Sequence, residues 1–208
     1  MRSYAPLSAA FLASLLLAGC TEVSPPTPPP TTETVTAEET PLWEIVEEAS
    51  LTEAQVAQRD RALAARDALM GKLKNRLKEV VSNDGYAAAI SVCKDDAPRL
   101  AKEVSEQEGL SIGRTSHRLR NSSNQPPDWA ETLVAHKAGE PTYLASEDRL
   151  AALLPIPTGP MCLSCHGPKD GIPADVLAAL EEKYPDDQAT GFEEGDLRGW
   201  FWLEVGGP

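Results

Sequence analysis

The run Cys162-Leu163-Ser164-Cys165-His166 constrains this 208-residue chain more than any other segment. Two thiols three positions apart project from the same side of one helical turn, with an imidazole directly beside them. Cys-x-x-Cys-His is the attachment pattern of c-type haem, in which both thiols bond the porphyrin vinyl groups and the histidine takes the iron. A domain built on it must fold around a large planar cofactor. Only 5% of the residues are aromatic, and such a cofactor would supply apolar surface that the chain itself lacks. Two other chemistries use the same residue types. A Cys162/Cys165 dithiol of thioredoxin kind would lie near a βαβ pattern, which the sequence lacks. A zinc site from Cys93, Cys162, Cys165 and His166 has a permissible ligand set but no second closely spaced pair.

The N-terminus fits an exported haem protein, because c-type haem is attached outside the bacterial cytoplasm. Arg2 precedes the apolar stretch Leu7 to Ala18, short for a membrane span and of the length of a signal-peptide core. Leu17-Ala18-Gly19-Cys20 resembles the lipobox of bacterial lipoproteins, so residues 1–19 read as a signal and Cys20 as the lipidated first residue of the mature chain. Residues 20–41 follow as a tether: Thr21 to Pro41 holds six prolines, seven threonines and four glutamates with no lysine or arginine. The folded domain is expected over 42–208. One acyl chain holds a membrane only marginally, so firm anchoring requires several.

Within that domain, Thr52-Glu53-Ala54-Gln55 has capping-box spacing and is followed by Val56, Leu63, Met70 and Leu77, with Leu69, Leu73 and Val80 beside them. This predicts a long amphipathic helix ending at Asn83-Asp84-Gly85. Shorter helices are expected over Tyr86–Lys94, Ala97–Glu108 and Trp129–Ala138. Alternation predicts a strand over 111–121 that carries Arg114, Arg118 and Arg120 on one face and His117 and Leu119 on the other. Further strands are expected over Tyr143–Glu147, Arg149–Pro155 and Leu197–Val205. Helices in front and a small antiparallel sheet behind make an α+β domain.

Nineteen Lys and Arg against 32 Asp and Glu give a net charge of −13, the wrong sign for a partner of nucleic acid. The residues leave the second axial position of the iron open among Cys93, His117, His136 and Met70. Arg114, Arg118 and Arg120 could hold the haem propionates or enter structural ion pairs.

The sequence resembles bacterial c-type haem domains of PAS-like fold, a family first catalogued as a domain of unknown function. Its markers span most of residues 45–206. They are Ala89-Ile90-Ser91-Val92-Cys93-Lys94 with Ala97-Pro98, Ile112 to Ser116, Arg120-Asn121 with Asn124, Pro155-Ile156, the haem motif with Gly167, and Gly195 to Gly199. The resemblance implies a PAS-like domain with one covalent haem, His166 as proximal ligand and Cys93 as the ligand opposite. Two features depart from the family: Ser122 stands where a proline is usual, and Gly199 to Leu203 is more aromatic. The second allows Trp200 or Trp202 either to cover a partner surface or to pack the core.

The expected protein is a periplasmic, lipid-anchored monohaem protein that senses redox state or a diatomic gas such as CO or NO and signals to a membrane sensor. A plain electron carrier serving a redox partner is the alternative. Enzymatic activity of peroxidase type is not expected, because a Cys93 ligand would close the iron.

Overall fold

The computed structural model describes residues 42–207. The signal, Cys20 and tether assignments lie outside that range. Among the described residues no helix is long and apolar enough to cross a membrane. The domain is α+β and PAS-like, with a long helix preceding most of a five-stranded antiparallel sheet.

The first helix, α1 (Glu53–Ser91), begins at the predicted capping box: Thr52 Oγ1 accepts from the Gln55 amide at 3.3 Å, and Gln55 Oε1 accepts from the Thr52 amide at 2.9 Å. Its fully buried stripe is narrower than expected. Ala62, Ala65 and Leu69 are buried, whereas Val56, Leu63, Met70 and Leu77 are half-buried. The predicted stop at Asn83-Asp84-Gly85 is a break within a longer element, since only Gly85 leaves helical geometry (φ 85°, ψ 177°) and the chain resumes the helix after it. A five-residue π-helical turn, Val92–Asp96, then joins α1 to α2 (Ala97–Glu108).

The strands β1 (Glu44–Val46), β2 (Ser111–Thr115), β3 (Thr142–Ser146), β4 (Arg149–Pro157) and β5 (Leu197–Val205) lie in the order β1-β3-β4-β5-β2. Every neighbouring pair is antiparallel. Leu150, Ala152 and Leu154 of β4 with Phe201, Leu203 and Val205 of β5 meet Ala62, Ala65 and Leu69 of α1 and Leu100 and Val104 of α2. Leu153, Trp200 and Trp202 face the other way and pack with Trp129, Ala130 and Val134 around α3 (Glu131–Ala135). Both faces are covered, which is why β4 reads as a continuous apolar run.

Three expectations are corrected. The strand predicted over 111–121 stops at Thr115, because Ser116 Oγ accepts from the Arg118 amide at 3.0 Å and bends the chain out of the sheet. Arg118 and Arg120 therefore do not share a strand face with Arg114. Trp200 does not cover a partner surface: it is fully buried, and its indole Nε1 donates to the Ala138 carbonyl at 2.7 Å. The helix predicted over Trp129–Ala138 is shorter, with a 3-10 turn at Asp128–Ala130 before α3.

Candidate functional site

The haem motif forms a 3-10 turn, Pro160–Cys162, followed by the single-turn helix α4 (Leu163–His166). Strand β4 delivers the chain to it. Thr158, just beyond that strand, is pinned through its amide to the Asp196 carbonyl (2.8 Å) and through its carbonyl to the Gly195 amide (2.9 Å). Gly167 closes the turn by donating to the Leu163 carbonyl at 2.9 Å, and a Cβ there would lie 2.7 Å from that same oxygen. After the motif comes α5 (Ala174–Lys183), which packs Val176 and Leu180 with Ile90 of α1 and with Cys165.

A second segment, residues 187–192, buttresses the motif from behind. His166 Nδ1 lies 2.7 Å from the Ala189 carbonyl, which assigns the proton to Nδ1 and leaves Nε2 unprotonated, where it faces the Arg120 guanidinium and could serve as a donor atom once that contact is given up. Burial, reinforced by Arg120 and Arg198, holds the imidazole well below its ordinary pKa and therefore neutral. Arg120 clamps the same region. It donates to the Cys165 carbonyl at 2.5 Å and the Ala189 carbonyl at 3.2 Å, approaches His166 Nε2 at 3.4 Å, and pairs with Asp187 at 3.0 Å. Asp187 in turn accepts from the Ala189 amide at 2.7 Å.

These elements enclose a mainly apolar cavity of about 810 Å³, of the size that buries a cofactor. Cys162, Cys165 and His166 line it on one side. Cys93, carried by the π-helical turn, lines it too, with Met70, Ile156, Arg114 and Arg198. A smaller polar chamber adjoins it and shares Cys93, Arg114, Arg120, His166 and Arg198. Tyr184 also faces this chamber, and burial raises the pKa of its phenol.

The sequence candidates thus divide. Cys93, Cys162, Cys165, His166, Arg114 and Met70 come together at the large cavity. Arg120 reaches it but is committed to peptide carbonyls and Asp187. Arg118 lines only the small chamber; its Nε donates to the Gln188 carbonyl at 3.0 Å and its guanidinium lies 4.3 Å over the Phe192 ring. His117 lines neither, being packed edge-on against Phe192 and Trp200 at 6.1 and 5.8 Å, and His136 is exposed. Arg198 escapes a sequence reading, although a cation two positions from Trp200 in an apolar strand was a visible anomaly.

The rival readings of the motif fit poorly. Cys93, Cys162 and Cys165 form no disulfide with one another. Every strand pair is antiparallel, without the βαβ unit on which a thioredoxin-type dithiol sits, and burial pushes the Cys165 thiol up to about 11. Among the described residues no three His, Cys, Asp or Glu side chains are grouped to hold a metal ion.

Fold and site together define a PAS-like α+β domain whose Cys-x-x-Cys-His turn opens into an apolar, cofactor-sized cavity. The chain belongs to the Tll0287-like family, which it matches over residues 44–205. It is similar in fold to the crystal structure of the cyanobacterial heme-protein Tll0287, with a TM-score of 0.55 and 20% identity over 75% of this chain and 97% of that one. No curated protein matches it.

Proposed function

We propose that the protein is a lipid-anchored, periplasmic haem protein in which one haem is bonded to Cys162 and Cys165 and ligated by His166 and Cys93, and that it acts in redox or diatomic-gas sensing rather than as an enzyme. The observation that carries this reading is the convergence of both motif thiols, a neutral imidazole and the Cys93 thiol on one cavity. Covalent haem would supply one-electron chemistry and a site for a small ligand. The protein's own part is positional. The Ala189 carbonyl and the Arg120 clamp fix the His166 ring, and loss of the 3.4 Å approach to Nε2 would still leave Arg120 with its three other partners.

Sensing is favoured over simple electron transfer by where Cys93 stands. A π-helical turn is rare within a run of α-helix, and such turns recur at functional sites. Its last residue, Asp96, is held by Arg76 at 2.8 Å and Arg99 at 3.1 Å, so a shift of Cys93 is felt by both α1 and α2. Release of the sulfur on reduction would thereby reach a surface where a membrane sensor could read it.

Three measurements test the reading. Mass spectrometry of the denatured periplasmic protein should show one retained haem, and acyl incorporation should be lost in Cys20→Ala. Absorption spectra of the ferric, ferrous and carbon monoxide-treated protein should show ligand replacement on reduction. Rapid electron exchange with no such replacement would identify an electron carrier instead.

A further inference from the structure

Regular alternation along β5 would send Arg198 into the apolar cluster with Trp200 and Trp202. The β4–β5 register prevents this: Ile156 pairs with Gly199 and Pro157 with Leu197, so Arg198 is skipped as the extra residue of a bulge. Leu197 takes the place beside Trp200, and Arg198 lines the cavity instead. Re-aiming a side chain is what bulges near functional sites do. Arg114 lines the same cavity from β2, the strand paired with β5, and Ser116 Oγ ties the strand ends together by donating to the Arg198 carbonyl at 2.6 Å.

Neither guanidinium has an anionic partner among the described residues, and no carboxylate lines either chamber. Arg198 Nε is buried without any hydrogen-bond acceptor. Two half-buried guanidiniums lining one cavity without a counter-charge are costly to hold there unless an anion joins them. Arg118 and Arg120 are already engaged with peptide carbonyls, Phe192 and Asp187.

Building on the covalent-haem reading, we infer that Arg114 and Arg198 form a clamp for the two haem carboxylates, with Arg118 and Arg120 taking no part. The charges match, two guanidiniums to two propionates, and each planar fork can grip a carboxylate through paired N–H groups. The bulge is then a device for bringing the second cation to the cofactor.

The test uses holoprotein matured in a host that attaches c-type haem, with Arg114→Gln, Arg198→Gln, Arg198→Lys and Arg118→Gln. Covalent retention in denatured wild type reads the haem assignment alone; if none is retained, that reading fails and the clamp falls with it. Where haem is retained, resonance Raman should show the propionate bending band shifted in Arg114→Gln and Arg198→Gln, and the midpoint lowered because a positive charge that favours the ferrous form has gone. Arg198→Lys should recover the midpoint but not the band, since the ammonium keeps the charge and lacks the fork. This variant also decides the matter if Arg198→Gln does not fold. Arg118→Gln should leave the band in place. The clamp is overturned if haem is retained and the band is unmoved in Arg114→Gln and Arg198→Lys, or moves equally in Arg118→Gln. It is overturned likewise if calorimetry shows wild-type holoprotein binding inorganic phosphate, and Arg198→Gln abolishes that binding with the band unmoved, since the pair would then serve a free anion.

Discussion

Arg120 and Asp187 are joined at 3.0 Å with side chains only 8% and 10% exposed, and between them they fix both the Cys165 carbonyl and the Ala189 segment that orients His166. Such a pair is a rigid positioning device. Removing one member strands the other as a buried charge, which costs about 3–5 kcal/mol. Asp187→Asn and Arg120→Leu are each expected to lose stability in that range by urea unfolding of holoprotein. The haem spectrum should broaden in both, since the proximal ring loses its fixed orientation. A loss below about 1 kcal/mol would place the pair among exposed bridges of little consequence.

Gly167→Ala addresses the motif itself. Its backbone is in an ordinary region (φ −67°), so any penalty comes from the 2.7 Å approach of the added Cβ to the Leu163 carbonyl. That oxygen also accepts the hydrogen bond that closes the turn, so relief of the clash opens α4. The expected outcome is a cost of about 1–3 kcal/mol by chemical denaturation, with reduced yield of haem-bearing protein.

The sheet was legible because β3, β4 and β5 carry long apolar patterns, and the motif was legible because its chemistry is local. What escaped depends on contacts distant in sequence. Three-residue β1 shows no alternation and exists by pairing with β3. Helix α5 follows Pro173 and has a weak apolar stripe that only the meeting with Ile90 and Cys165 completes. Residue spacing in an idealised strand puts Arg114, Arg118 and Arg120 on one face, and two local events give a different set. The Ser116 bend took Arg118 and Arg120 out of the sheet, and the bulge brought Arg198 in. His117 was open as an iron ligand until Phe192 and Trp200, more than seventy positions away, closed around it.

Acidification should expose that same enclosure. Burial, with Lys137 and Arg118 nearby, lowers the pKa of His117 from 6.5, and its Nδ1 is buried without a partner. The unfolded chain therefore takes up this proton first as pH falls, so stability present above about 6.5 is lost as pH drops toward the lower folded pKa. This window lies above that of the ion-paired carboxylates Asp96 and Glu103, whose pKa values are lowered by Arg76 and Lys72, so that their stabilisation is lost further into acid. Urea midpoints followed downward from pH 7 should decline in wild type, and less steeply in His117→Phe.

Cys93 and His117 are separated by a direct comparison. Cys93 lines the cavity together with Cys162, Cys165 and His166, whereas His117 lies outside it, wedged between aromatic rings. If Cys93 ligates ferric iron as thiolate, it donates electron density and stabilises Fe(III). Cys93→Ala should then convert a low-spin ferric spectrum to a mainly high-spin one and raise the midpoint, and Cys93→Met should raise it as well. His117→Ala should leave the spectrum and the midpoint unchanged and register only in stability, by about 1–3 kcal/mol for lost packing. The ferrous wild type should bind carbon monoxide readily, because reduction weakens the claim of the sulfur, while the ferric protein should resist weak added ligands. A spectrum untouched by Cys93→Ala but altered by His117→Ala would mean that the aromatic enclosure opens when haem is bound, with His117 as ligand in a bis-histidine electron carrier.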